Sequence, residues 1–471
     1  MVRAVVGLCL ALVAVPVFAG TFEQWSTGRT LRIDYVHTGT ATGEHFALER
    51  VRIEGEWPGS RTQTIDTTNR GKYLVELVDL ATNRLLYTRG FSSIYGEWET
   101  TGEARREVWR AIPEAVRVPE PRHPAQLRLR KRQADQSFGE VWRLAIDPAS
   151  RFVDRAPAPS AEWVALVDNG PAASKADLVI LGDGYTSTQK EKFLADAQRA
   201  SDALFSLEPY HSHKGDFNVR AVWTPAEHPG VSRPRAGVFR ASPLGARYNS
   251  FDSERYILTL DDRAWRDAAA AVPYDFVLIL VNERKYGGGG IFGLYSTAAA
   301  DSGFADYLVV HEFGHHFAGL GDEYYTSPVV YEGFTAGRVE PWEPNVTALL
   351  DPATLKWRDL VEESTPLPTQ WKKEAFETRS RAIQKTRTEM RAAGASEEDM
   401  EALFREEQKH FTKTLGEQPH SGEVGAFEGA LYEARGFYRS SIDCVMFTRD
   451  EVGLCPVCRR AVEEIIDLYA R

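Results

Sequence analysis

The sequence predicts an α+β multidomain chain. An N-terminal β-sandwich spans residues 20–150, and an α/β domain spans 151–471 and carries a charged helical insertion at 371–415. Three observations predict this. Short segments of alternating apolar and polar residues, punctuated by turn signals, fill the first part. After Pro157, Pro159 and Pro171 the pattern changes to buried strands separated by amphipathic helices. Residues 371–415 are dense in Lys, Arg and Glu, and the break at Ala393-Gly394-Ala395 reads as the turn of a solvated helical hairpin.

Residues 1–19 read as a secretory leader. Arg3 supplies the positive start, the uncharged run 4–18 is apolar, and Val17 and Ala19 occupy the −3 and −1 positions of a small-residue cleavage site. The run is too short to span a bilayer comfortably, and no other stretch approaches that length, so the expectation is an exported protein without stable membrane insertion. A net charge of −11 with no large Lys/Arg cluster argues against a nucleic-acid partner.

In the first domain Leu31, Ile33 and Tyr35 alternate with polar neighbours, as do Tyr73, Val75 and Leu77, and Leu127 and Leu129. Trp57-Pro58-Gly59-Ser60, Thr82-Asn83 and Phe138-Gly139 mark turns. Trp57, Trp98, Trp109 and Trp142 read as core or sheet packing. In the second domain, residues 176–181, 217–223 and 274–281 read as strands and 190–205 as a helix. Gly287 to Gly290 read as a flexible turn. The alternation after it reads as an edge strand, with Gly290, Ile291, Phe292, Gly293 and Leu294 as candidates for pairing with an extended peptide.

The densest chemistry lies in His311-Glu312-Phe313-Gly314-His315. On a helix, His311 and His315 sit one turn apart on one face and can bind one Zn²⁺, with Glu312 beside them as a candidate base. Gly319 and Gly321 can end the helix, and Asp322, eleven residues after His311, can return a carboxylate to the same ion. Two imidazoles and one carboxylate leave a fourth position open, the arrangement of a catalytic zinc. The bland alternative is a buried helix whose histidines bond backbone carbonyls.

Further on, Asn345-Val346-Thr347 is a glycosylation sequon. Met446 is the only methionine outside the leader and the insertion; it precedes the final helix, and a Met beneath the imidazole ligands is a metzincin signature. Without the leader three cysteines remain, Cys444, Cys455 and Cys458. In an exported chain these favour one disulfide, Cys444 with Cys455 or Cys458, and one free thiol, over a second, structural metal.

Taken together these motifs resemble the M64 family of metallopeptidases, the IgA-peptidase family, over nearly the whole mature chain. The resemblance rests on Thr30-Leu31-Arg32-Ile33-Asp34-Tyr35 and the segment from Gly90 to Trp98 in the first part. In the second part it rests on Leu181-Gly182-Asp183-Gly184-Tyr185-Thr186, the Gly-rich edge strand and the stretch from His311 to Tyr325. At the end it rests on Phe427-Glu428-Gly429, Tyr438-Arg439, Cys444-Val445-Met446 and Cys455-Pro456-Val457-Cys458. It implies a metzincin-like zinc endopeptidase, with His311, His315 and Asp322 as ligands and Glu312 as base. The common metzincin spacing is offset here, since Ala318 stands at its Gly and Gly321 at its third ligand, which leaves Glu323 as an alternative ligand.

The expected function is therefore zinc-dependent hydrolysis of peptide bonds in a protein or peptide substrate. Tyr438 or Tyr432 is a candidate to hydrogen-bond the oxyanion. Two rival readings are a non-catalytic binding or adhesion protein with a structural metal, and a zinc amidase acting on cell-wall peptides. An intact Glu312 argues against the first, because a structural site has no use for a base. Substrate and oligomeric state stay open at this level.

Overall fold

The computed structural model describes residues 21–327 and 338–470. The leader read at 1–19 lies outside the described residues. The first domain is built from β1 (Ser26–Gly39), β2 (Glu44–Glu56), β3 (Tyr73–Asp79), β4 (Leu85–Phe91), β5 (Arg110–Pro121), β6 (Ala125–Arg132), β7 (Phe138–Ile146) and β8 (Val153–Asp154). They form two four-stranded sheets, β5-β1-β2-β8 and β4-β3-β6-β7. Leu31, Ile33 and Tyr35 of β1 share one apolar core with Val75 and Leu77 of β3 and Leu127 and Leu129 of β6. The period-two pattern therefore marks the inner faces.

The opposite face of β1 is not solvated. Arg32 is fully buried and donates to Asp34 Oδ1 at 2.7 Å, to Glu54 Oε1 at 2.8 Å and to Asp267 Oδ1, across the domain boundary, at 2.7 Å. A guanidinium out of water needs such partners for every fork. Tyr95 and Trp98 likewise pack with Trp265, Leu294 and Tyr295 of the second domain. Two local expectations change. Phe138-Gly139 opens β7, and the turn lies just before it, where Gln136 N donates to Gln133 O. Trp109 is 59% exposed and stacks on His45 rather than filling a core.

The second domain's main sheet comprises β9 (Trp163–Val167), β10 (Ala176–Asp183), β11 (Phe217–Val222), β12 (Phe276–Val281), β13 (Gly288–Ile291) and β14 (Tyr295–Ala299), in the order β13-β14-β12-β10-β11-β9. The four inner strands run parallel, and β9 and β13 close the two edges antiparallel. Strands buried on both faces read as continuous apolar runs, as β12 does with Phe-Val-Leu-Ile-Leu-Val. One face is covered by the helices Lys190–Phe205, Ala305–Ala318 and Pro456–Ala470, through Phe193, Leu308, Phe317 and Ile465. The other is covered by Asp262–Ala269 and the first domain.

The Gly-rich stretch is displaced from its expected register. The glycines themselves form β13, and the chain turns at 292–294, with Gly293 at φ +68°. The reason is steric. A Cβ on Gly290 would lie 2.2 Å from the carbonyl oxygen of Glu312, and one on Gly288 would lie 2.9 Å from Glu312 Cγ. Bare backbone lets the strand lie against the helix that carries the motif.

A small third sheet, β15 (Val346–Thr347), β16 (Phe427–Ala430) and β17 (Glu433–Arg439), runs in the order β15-β17-β16. The insertion is a helical hairpin, Lys373–Ala392 and Glu397–Gly416, with the second helix capped by Ser396 on Asp399 N. It is not merely solvated: Met400 and Phe404 enter the main core, and Phe376, Phe411 and Leu415 pack with Phe427 and Phe447. Among the described residues no helix is long and apolar enough to cross a membrane.

Candidate active site

The helix Ala305–Ala318 is almost wholly apolar apart from its motif, which suits a helix buried between sheet and C-terminal helix. It ends at Gly319, in the left-handed region at φ +64°, whose N–H closes on His315 O at 3.0 Å. That reversal returns the chain at once, and Asp322 arrives over the two imidazoles. Asp322 Oδ1 lies 3.1 Å from His311 Nε2 and 3.3 Å from His315 Nε2, and the two Nε2 atoms are 3.3 Å apart. Tetrahedral ligation with bonds of about 2.05 Å requires donor–donor edges of about 3.3 Å.

The outer nitrogens are fixed by backbone. His311 Nδ1–H donates to Val445 O at 2.9 Å and His315 Nδ1–H to Leu320 O at 2.5 Å, which turns both Nε2 atoms inward. Asp322 Oδ2 accepts from the Tyr432 hydroxyl at 2.5 Å, while its Oδ1 is buried without a hydrogen-bond partner. Burial raises the Asp322 carboxyl, but His315 and His311 outweigh it and hold it well below the usual carboxylate range. Burial lowers the His315 imidazole, and Asp322 outweighs that and lifts it to about 9. The donor atoms of these three groups converge on one point with the spacing that a divalent cation fits.

Glu312, next to His311, is only partly exposed, and its surroundings push its carboxyl upward through desolvation, against the pull of His311 and His315. Gly288 and Gly290 of β13 lie directly against it. The site opens into a cleft of ≈ 880 Å³. One wall of this cleft is the first domain, through Lys72, Gly96, Glu99 and Arg132; Gly290, Ile291 and Phe292 contribute another. The two domains are stitched there by Ser92 N, which donates to Phe292 O at 2.8 Å.

The chain matches the family described as IgA Peptidase M64 over residues 164–466, and the family described as Peptidase M64 N-terminus over residues 21–143. The chain belongs to the M64 peptidase family. No curated protein sequence matches it. As a family member it is a peptidase, with proteins or peptides as substrates, and M64 peptidases are generally metallopeptidases. Between the two matched ranges β8 still pairs with β2 at Val51↔Val153, and β9 begins the second sheet at Trp163.

In this M64 peptidase the remaining sequence candidates fall in several places. Met446 is fully buried, and its Sδ would lie 3.1 Å from a Cβ built on Gly314, so it sits beneath the motif helix between the two histidines. Tyr432 reaches the site but spends its hydroxyl on Asp322. Tyr438 pairs in β17 with Thr347 and Glu428 and does not line the cleft. Glu323 turns away from the histidines and into the three cysteines. Those cysteines are all free: Cys444 Sγ and Cys458 Sγ stand 3.8 Å apart, against about 2.05 Å for a disulfide, so the expected bridge is corrected. The sequon asparagine, Asn345, is fully buried and cannot carry a glycan; its Nδ2 donates to Gly321 O and Glu323 Oε1, both at 2.9 Å.

Three residues that bear on the site were missed. Arg255 lines the cleft, donates from Nη2 to the Tyr324 hydroxyl at 2.8 Å, and places a positive charge near Glu312 and Asp322. The Tyr324 ring stacks 6.3 Å from that of His311. His316, fully buried, accepts from Val277 N at 3.0 Å through Nε2 and donates to Ile291 O at 3.1 Å through Nδ1–H. Burial pushes its imidazole down to about 3, so it is the neutral rivet between sheet, turn and motif helix. Tyr324 is visible in the motif as the second residue after Asp322; Arg255, far upstream, carries no sequence signal.

Proposed function

We propose that this chain is an exported, metzincin-like zinc endopeptidase in which His311, His315 and Asp322 hold the metal and Glu312 is the general base. The observation that carries the reading is the triangle of inward-facing donors on His311, His315 and Asp322, with edges of 3.1–3.3 Å. When bound, zinc supplies Lewis acidity that makes water a competent nucleophile near neutral pH. Glu312 takes a proton from the attacking water and returns it to the leaving amine.

The rest of the cleft supports a peptide rather than a small molecule. β13 lies at the sheet edge beside Glu312; Gly288 is already paired there with Arg255 O and Ile257 N, so an extended substrate pairs from Gly290 onward, where the strand lines the cleft. The Tyr324 hydroxyl, held by Arg255, is better placed than Tyr432 or Tyr438 to donate to the developing oxyanion, because the others are engaged with Asp322 or outside the cleft. Export rests on the leader read at residues 1–19.

The test is cleavage of a peptide library read by mass spectrometry, before and after chelation and zinc restoration. The endopeptidase cuts internal bonds, loses activity to chelator and regains it with zinc. An amidase would spare the library and open cell-wall cross-links instead, and a binding protein would cut neither.

A further inference from the structure

A second donor cluster lies behind the first. Glu323, Cys444, Cys455 and Cys458 are all buried, and their ligating atoms lie within 4.8 Å of one another. They come from three separate segments: the loop after the motif helix, the Met446 turn, and the start of the helix Pro456–Ala470. Cys444 Sγ and Cys458 Sγ are 3.8 Å apart, and Cys458 Sγ is 3.6 Å from Glu323 Oε1. With Zn–S bonds of about 2.3 Å and Zn–O bonds of about 2.1 Å, tetrahedral edges come to about 3.8 Å for S···S and about 3.6 Å for S···O. These two edges are those of ligands sharing one ion, and the Cys444–Cys458 separation is too long for a disulfide.

Independent features agree. Glu323 Oε2 is buried with no hydrogen-bond partner, a costly state for a carboxylate unless a cation is shared. The sulfurs are dressed as acceptors: Cys455 N points to Cys444 Sγ at 3.4 Å, Cys458 N to Cys455 Sγ at 3.4 Å, and Ser440 Oγ lies 3.1 Å from Cys455 Sγ. Arg439, fully buried nearby, interacts electrostatically with Glu323 and Cys444. Three soft donors and one hard one in a tetrahedron select zinc over magnesium or calcium.

We infer that Glu323, Cys444, Cys455 and Cys458 bind a second, structural zinc ion. Four protein donors leave no open position, so this ion takes no part in turnover. Its role is positional. Glu323 follows Asp322, and Glu323 N donates to Met446 O at 2.9 Å. Cys444 precedes Val445, whose carbonyl fixes His311. One ion therefore ties together the segment that delivers Asp322 and the segment that orients His311. Counting cysteines alone missed it, because the fourth ligand is a carboxylate whose neighbour serves the other site.

The test uses the full chain purified under reducing conditions. Metal analysis is expected to find about two zinc ions per chain, about one in Cys458→Ser, and about one in His311→Ala. Cobalt exchange separates the sites, since sulfur-to-cobalt charge-transfer bands arise only at the cysteine site. They should persist in His311→Ala and be lost or strongly reduced in Cys458→Ser and Glu323→Gln. Thiol titration of the native zinc protein should find the three cysteines shielded until the metal is stripped. Wild-type protein with no thiolate–cobalt bands, or with its cysteines disulfide-bonded or freely titratable without chelator, would overturn the second site and leave the His311–His315–Asp322 reading standing. Wild-type protein that shows the thiolate–cobalt bands but binds no metal at His311, His315 and Asp322 would do the reverse.

Discussion

Asp322 and Glu323 are consecutive, yet their carboxylates face different clusters: Asp322 Oδ1 lies 3.1 Å from His311 Nε2, and Glu323 Oε1 lies 3.6 Å from Cys458 Sγ. Gly321, just before them, is gripped on both backbone polar groups by the Asn345 side chain, at 2.7 and 2.9 Å. A loop held at this density leaves the Asp322 carboxylate little freedom. That is the form of preorganisation a ligand set needs, because each mobile donor adds an entropic cost to binding.

The Tyr432 hydroxyl on Asp322 Oδ2 is an outer partner of a ligand. Tyr432→Phe should keep the fold and lower zinc affinity about 10–100-fold, the usual effect of losing such a partner. Competition with a chelator of known affinity measures it. Unchanged affinity would remove Tyr432 from the support of Asp322.

Gly290 has no room for a side chain against Glu312 O. Gly290→Ala should destabilise by about 1–3 kcal/mol through overpacking and push β13 away from the motif helix, reducing activity beyond what stability explains. Denaturant unfolding and kcat/KM, measured on the same preparation, separate the two effects. A variant as stable and active as wild type would show that the strand and helix are not locked together.

His316 satisfies a buried N–H of β12 and a buried C=O of the 291–294 turn. His316→Phe keeps an aromatic ring but strands Val277 N, at a cost of about 1–3 kcal/mol, and removes one of two donors from Ile291 O, which still accepts from Leu294 N. The expected result is a lower denaturant midpoint at pH 7. Equal stability would mean that water or a rearranged turn replaces the imidazole.

The ligand set itself is separable. Asp322→Ala should lose most first-site zinc while the cobalt–thiolate signal of the cysteine cluster remains. Retention of full zinc content with an intact cysteine site would deny Asp322 its place as third ligand.

Much of this was legible in the sequence, for identifiable reasons. The spacing of His311 and His315, and the glycine after the helix, are local rules, and the structure has the helix end at Gly319 as those rules require. Alternation found the strands of the first domain, and charge density found the helical hairpin. What escaped was set by distant packing. The register of β13 depends on how closely Glu312 approaches, the burial of Arg32 depends on Asp267 of the other domain, and the fate of the cysteines depends on a carboxylate supplied from the loop after the motif helix. None of these contacts is encoded within a short window of residues.

The central claim is that Glu312 moves the proton in a zinc-dependent cleavage. Glu312 is not among the donors gathered around Asp322, so Glu312→Ala should bind metal and melt as wild type does. It should lose cleavage by at least about 10²–10⁴-fold, the general acid–base contribution, when compared at matched zinc occupancy on any peptide that the wild type cuts. Cleavage within about threefold of wild type, well short of that factor, would contradict the account. The motif helix would then be a metal scaffold rather than a catalytic one.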